Sequence, residues 1–160
     1  MANTVKPVPE RLHSITVNLV CRDCAKAIDF YKTVFGATEG ERMMGPGGKV
    51  MHAELKIGDS VIFLNDTMNE TGPAQPAPGT SNLAYMHLYV EDVDEVFGRA
   101  LKAGARAEMP VQDMFWGDRY GKLTDPFGQQ WGIATHKEEL SSEEVVRRQE
   151  AFFAKAAGRQ

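Results

Sequence analysis

Residues 14–36 read SITVNLVCRDCAKAIDFYKTVFG, and two periodicities meet inside that stretch. Ile15, Val17 and Leu19 alternate with Thr16 and Asn18, the period of a strand with one buried face. After Asp23 the residues Ala27, Ile28, Tyr31, Val34 and Phe35 recur at helical spacing, with Asp23 placed as an N-cap and Gly36 where a helix ends. The stretch predicts a strand, a capped helix and a stop. The same order returns past the middle of the chain. Leu83 to Val90 alternates, Asp92 or Asp94 opens a helix through Val93, Val96, Phe97, Ala100 and Leu101, and Gly104 ends it. Asp92 follows Asp23 by 69 residues and Gly117 follows Gly48 by the same interval, which marks an internal repeat.

Three strands are expected after each helix. In the first half they cover Thr38 to Met44, Val50 to Ile57 and Ser60 to Leu64, with Gly45-Pro46-Gly47-Gly48 as a turn and Gly58-Asp59 as a two-residue hairpin turn. In the second they lie around Arg106 to Pro110, Arg119 to Thr124 and Gln129 to Thr135, the last two joined by Asp125-Pro126-Phe127-Gly128. Each half reads βαβββ. One helix can cover only one face of a sheet, so the expected fold is α+β: two paired βαβββ modules forming an open, half-barrel-like sheet around a pocket. The boundaries are an arm over 1–13, a domain over 14–136 and a tail over 137–160. Module 1 covers 14–66, a Pro- and Gly-rich linker 67–81, and module 2 82–136. In the tail, Ser141 and Glu144 have capping-box spacing and open an amphipathic helix with Val145, Phe152 and Phe153, packed outside the domain or on a second subunit.

The 160 residues are 42% hydrophobic and 25% charged, enough to bury one sizeable core. Eighteen Lys and Arg stand against 22 Asp and Glu, a net charge of −4 with no run of like charge, which argues against nucleic acid or an anionic membrane as partner. No stretch approaches the roughly 18 apolar residues of a spanning helix, and Met1 to Pro7 lacks the apolar run of a secretory signal, so a cytoplasmic location is expected. Cys21-Arg22-Asp23-Cys24 has the spacing of a redox pair with Cys24 in the first helical turn, but the preferred reading is one thiol at a strand end and one at a helix start, both kept reduced in the cytoplasm. Gly-x-Gly-x-x-Gly after a strand, a phosphate loop, Gly-x-Ser-x-Gly and His-Glu-x-x-His are all missing from the sequence.

Several motifs sit on this repeat: Ala27-Ile28-Asp29-Phe30-Tyr31 before Phe35-Gly36-Ala37, Met51-His52-Ala53-Glu54-Leu55, Val90-Glu91-Asp92-Val93-Asp94, and Met114-Phe115-Trp116-Gly117-Asp118-Arg119-Tyr120-Gly121 running into Asp125-Pro126-Phe127-Gly128. On them the chain resembles the vicinal-oxygen-chelate superfamily, the fold of glyoxalase I, bleomycin-resistance proteins, fosfomycin-resistance enzymes and extradiol dioxygenases. Within it the chain resembles the PhnB-like branch, over residues 14 to 136. The methyltransferase name sometimes attached to that branch has no support here, because nothing reads as a nucleotide-cofactor turn. The resemblance implies four ligands, one on each inner strand, around a divalent metal. The glyoxalase I pattern lands on Thr16, Phe63, Tyr85 and Gly132, none of which is a good ligand, so no cofactor is expected at the family positions.

Other ionisable groups lie close by. His52 and Glu54 share a strand face by period two, and His87 shares one with Tyr85 and Tyr89. Together His52, Glu54 and His87 form a candidate site for Zn, Ni, Mn or Fe; they read otherwise as hydrogen-bonded pocket residues. Trp116, Asp118, Arg119 and Tyr120 suit an anionic or planar ligand, or else fix a turn and close an interface. Asn18 and Gln130 are expected to face the cavity, and His13 and His136 to lie on the surface. The first functional expectation is a homodimeric binding protein holding a small aromatic or anionic molecule in a cavity lined by Asn18, His52, Glu54, Phe63, Tyr85, His87, Trp116, Arg119 and Gln130. The alternative is a divalent-metal lyase, isomerase or dioxygenase acting at His52, Glu54 and His87 on a substrate with vicinal oxygens. A third is metal-free acid–base catalysis by His52 or His87 with Glu54.

Overall fold

A computed structural model of the chain describes residues 6–67 and 84–158. Asp23 and Asp92 both cap helices. The Asp23 carboxylate accepts from the Lys26 N–H at 3.2 Å, opening α1 (Cys24–Phe35), and Asp92 accepts from the Glu95 N–H at 3.0 Å, opening α2 (Val93–Lys102). Gly36 ends α1 in the left-handed conformation at φ 67°. Strands β1 (Asn18–Cys21), β2 (Thr38–Met44), β3 (Val50–Ile57) and β4 (Ser60–Asp66) accompany the first helix. β5 (Met86–Tyr89), β6 (Arg106–Asp113), β7 (Asp118–Thr124) and β8 (Gln130–His136) accompany the second, and α3 (Ser142–Ala157) follows. The fold is α+β, with two compact units at 1–77 and 78–160, each built on a mixed four-stranded sheet with one helix packed on it, the second unit carrying α3 besides.

The strand orders β1-β4-β3-β2 and β5-β8-β7-β6 are the same topology twice. β1 lies parallel to β4 with Asn18 beside Phe63, and β5 lies parallel to β8 with His87 beside Gly132, both partners displaced by the 69-residue repeat. In the third strands the displacement is 68, since Glu54 pairs with Phe63 and Lys122 with Gly132. The reason is turn length. Two residues separate the paired Ile57 and Ser60, whereas three separate Asp125 and Gln129, whose backbones are also bonded.

Each helix buries its apolar stripe on one sheet face. In the first unit Ala27, Ile28, Tyr31 and Val34 lie against Leu19, Ala53, Leu55 and Leu64. In the second, Val93, Val96, Phe97 and Ala100 lie against Leu123, Trp131 and Ile133. Gly121 admits the Phe97 ring, for a Cβ there would stand 2.8 Å from it. The helix start is also tied to the last strand. In the first unit the buried Asp66 carboxylate accepts from the N–H groups of Cys24 (2.8 Å) and Val50 (2.7 Å). At the equivalent place in the second, the Thr135 hydroxyl accepts from the Val93 N–H at 2.8 Å and donates to the Val90 carbonyl.

Some boundaries differ from expectation. β1 begins at Asn18, not Ser14: its ladder with β4 starts there, and Ile15 is left 86% exposed. β6 runs on to Asp113, past Pro110, because it is an edge strand with register shifts, where a residue without an N–H does no harm. Leu83 and the linker from residue 68 onward lie outside the described residues. Ser141 caps α3 by accepting from the Glu144 N–H, but the Glu144 carboxylate turns to Arg147 and Arg148 and does not close a capping box.

Replacing Asp66 by Ala orphans two buried N–H groups at about 1–3 kcal/mol each in general, so the Asp66→Ala variant is expected to lose about 2–6 kcal/mol of stability. Urea unfolding measures it; an unchanged midpoint would show that the tether does not hold α1.

Candidate functional site

The face of each sheet away from its helix carries the polar and aromatic residues. In the first unit β3 alternates buried Ala53, Leu55 and Ile57 with half-buried His52 and Glu54, and β4 alternates buried Ile62 and Leu64 with half-buried Phe63 and Asn65. On the open face the Phe63 and His52 rings meet edge to face with centroids 4.8 Å apart. His52 Nε2 lies 3.6 Å from Glu54 Oε1, and the Arg11 Nη2 donates to that same oxygen at 2.8 Å. Asn18 donates its side-chain N–H to Asn65 Oδ1 at 2.6 Å.

In the second unit the open face is an aromatic wall. The His87 ring stacks on Tyr120 with centroids 5.5 Å apart and planes 10° apart, and Tyr89 and Trp116 flank the pair at 4.9 Å from His87 and 5.8 Å from Tyr120. The Lys122 ammonium sits 4.5 Å over the Tyr85 ring. Burial, then the hydrogen bond with Tyr85, pushes the Tyr120 phenol up to about 12. Gln130 is buried at the start of β8.

Asp118, only 3% exposed, is the polar centre of this face. It accepts from the Tyr89 hydroxyl (2.9 Å), the Trp116 indole N–H (3.0 Å) and His136 Nδ1 (2.7 Å). Burial pushes its carboxyl up, but the bonds from His136, Tyr89 and Trp116 outweigh burial and hold it below its ordinary value. His136 Nε2 meets the Glu139 carboxylate at 3.1 Å. With both ring nitrogens on carboxylate oxygens the imidazole suits the protonated form, and the bond to Asp118, then that to Glu139, raises its pKa. Beside Asp118 a cleft of about 290 Å³ is lined by Asp113, Met114, Gly117, Lys137, Glu138 and Arg148.

The structure therefore distributes the expected site residues unevenly. Asn18, His52, Glu54 and Phe63 share the open face of the first unit, and Tyr85, His87, Trp116 and Gln130 belong to the second. Arg119 stands apart from them. Strand alternation turns it to the helix face, where it makes a bidentate pair with Asp94 of α2 (2.6 and 2.8 Å) and a third bond to Asp113. His136, expected on the surface, is half exposed but joined to Asp118. Counting back from the β7–β8 turn would have found it, because Asp118 and His136 are direct register partners. Cys21 and Cys24 are fully buried thiols, which gives a redox partner no access to them.

A family model described as the Glyoxalase/Bleomycin resistance protein/Dioxygenase superfamily matches residues 11–133. The chain belongs to this superfamily. An uncharacterised protein of Mycobacterium bovis is 38% identical to it over 148 residues, covering 91% of this chain and 93% of the relative. Among solved structures, TioX from Micromonospora sp. ML1 is 29% identical with a TM-score of 0.60, covering 78% of this chain and 98% of TioX. The PhnB protein from Bacillus cereus, described as a putative 3-demethylubiquinone-9 3-methyltransferase, is similar in fold, with a TM-score of 0.60 at 21% identity over 77% of this chain and 99% of that one.

Superfamily members often use a metal, and the positions that the resemblance assigns to its ligands do not fit one here. Phe63 offers a ring without a donor atom. Gly132 offers no side chain, and its space is taken by Tyr120, whose ring and hydroxyl would lie 2.8 Å from a Cβ. Thr16 and Tyr85 carry neutral hydroxyls, poor ligands for a divalent ion beside imidazole or carboxylate. Among the described residues no group of three His, Cys, Asp or Glu is arranged to hold a metal ion. Nor, among them, is any helix long and apolar enough to cross a membrane.

Because the pKa of His136 is raised in the folded chain, its protonated ring adds stability that is complete below about pH 6.5 and lost as pH climbs through the folded-state value. Urea midpoints measured from pH 6 to 9 are expected to fall in the wild type and to fall less in His136→Gln. Equal slopes in the two proteins would show that protonation of His136 is not coupled to folding.

Proposed function

We propose that the protein binds a small planar aromatic molecule, without the metal chemistry of its superfamily, through the open face of the second unit. The observation that carries this reading is the stack of His87 on Tyr120 across Gly132. Where family chemistry calls for a ligand atom, this chain places an aromatic surface. A planar ligand extends such a stack at about 0.5–1.5 kcal/mol per ring pair beyond its area burial. Lys122 suits an anionic substituent on that ligand, and the buried, fully bonded Asp118 keeps Tyr89 and Trp116 in fixed positions so that little ordering accompanies binding. Asn18, His52, Glu54 and Phe63, on the open face of the first unit, are proposed as a separate binding surface. Sequestration is the corresponding activity, by analogy of fold with the bleomycin-resistance branch. We further propose that the protein works as a cytoplasmic homodimer; Val146, Phe152 and Phe153 on α3 remain 42% to 56% exposed and are suited to burial against a second copy.

The test uses 2-naphthoate, a planar aromatic anion, followed by Trp fluorescence. Trp131 is 2% exposed, so direct contact with the ligand is open to Trp116 alone of the two, and the part of the response lost in Trp116→Phe reports the site. Saturable quenching is expected, weakened roughly three- to tenfold by His87→Ala. Absence of quenching up to millimolar 2-naphthoate counts against the aromatic site. Separately, protein purified without chelator is expected to carry well under one equivalent of Zn, Ni, Mn and Fe by elemental analysis. A stoichiometric, tightly held metal whose occupancy collapses in His52→Ala and His87→Ala would favour the metalloenzyme instead.

A further inference from the structure

The half-buried carboxylate of Glu54 stands on the open face of the first unit at 12% side-chain exposure, and its partner comes from far away in sequence. Arg11 belongs to a stretch without helix or strand between Lys6 and Val17, is 55% exposed, and reaches Glu54 across 43 residues by one hydrogen bond, Nη2 to Oε1. We propose that Glu54 is the anchor of a subsite for alkylguanidinium ligands, and that the chain's own Arg11 fills it here as an exchangeable stand-in.

The surroundings suit that ligand. Phe63 is the register neighbour of Glu54 and packs edge to face with His52, so an aromatic ring lies beside the carboxylate, a surface suited to a flat cation. On the β2 side the neighbour is Gly40, where a side chain's Cβ would stand 3.8 Å from Glu54 Oε2, and His52 Nε2 lies 3.6 Å from Oε1. Asn18, beside Phe63, donates to Asn65 and keeps its own oxygen as an acceptor for a further N–H. Arg11 uses one nitrogen on one oxygen, whereas a free guanidinium can bind both oxygens of a carboxylate in parallel, the stronger arrangement. An ion pair whose cation is more than half exposed and carried on an irregular segment holds weakly, so a better-fitting ligand displaces it. The equivalent position in the second unit is Lys122, which would repel the same ligand.

This assignment concerns the first unit and does not depend on the aromatic ligand proposed for the second. Methylguanidinium is titrated into the full chain while the backbone amide signals of Glu54 and Phe63 are followed by NMR. Saturable shifts are expected. Removing the stand-in raises the competent fraction, so Arg11→Ala is expected to bind roughly two- to tenfold more tightly, and Glu54→Gln to lose the shifts while keeping the wild-type spectrum elsewhere. Phe63→Leu, which keeps apolar bulk, is expected to weaken binding and serves in place of Glu54→Gln if that variant does not fold. Binding that Arg11→Ala leaves no tighter, or that Glu54→Gln or Phe63→Leu leaves unchanged, overturns the proposal. If methylguanidinium fails while 2-naphthoate still quenches Trp116, this subsite alone is wrong.

Discussion

One helix per four-stranded sheet is the constraint from which the rest follows. A helix can shield a single face, so each unit must divide its residues strictly between a buried side and an open side, and the period-two alternation along β3, β4, β7 and β8 is that division written into the sequence. The geometry depends on each helix being held at a defined place over its sheet. Apolar packing is non-directional and would tolerate some sliding. The directional part comes from Asp66 and Thr135, whose side-chain oxygens grip the first helical N–H in the two units. These positions are 69 residues apart, so the tether repeats with the fold although its chemistry does not.

The open faces hold groups that a core would reject. Asp118 is tolerated at near-complete burial because two N–H groups and one hydroxyl converge on its two oxygens, and the partial exposure of His136 lets the balancing charge reach water. Gly132 has the opposite role. Its missing side chain lets Tyr120 lie flat across β8, and His87 then stacks on the exposed surface of that ring. The missing side chain at Gly132 and the aromatic wall beside it are thus one arrangement seen from two strands.

Much of the fold was legible because its signals are local. The Asp caps, the Gly36 stop, the hairpin turns and the 69-residue interval each need only a few neighbouring residues to be read. The site was less legible because face and register are not local. Trp116, Asp118, Arg119 and Tyr120 look like one polar–aromatic group along the chain, yet alternation sends Arg119 through to the helix side and keeps Asp118 and Tyr120 on the other. His136 looks like a strand-end surface residue until pairing sets it opposite Asp118. Arg11 lies in a stretch without periodicity, and nothing in the sequence ties it to Glu54. The start of β1 was misjudged for a related reason: alternation continues through Ile15 and Val17, but a strand lasts only as long as it has a partner.

The extra residue in the β7–β8 turn leaves the pairing intact, and Glu54 and Lys122 therefore occupy equivalent points on two equivalent sheets with opposite charge. Two identical copies of one module would present the same chemistry twice and could discriminate only between ligands that match that chemistry or do not. Here the copies have parted ways: one offers an anion beside Phe63, the other a cation beside Tyr85 and Tyr120. Repetition of the backbone with inversion of charge leaves one scaffold with two unlike surfaces, an acidic one on the first sheet and a basic one on the second.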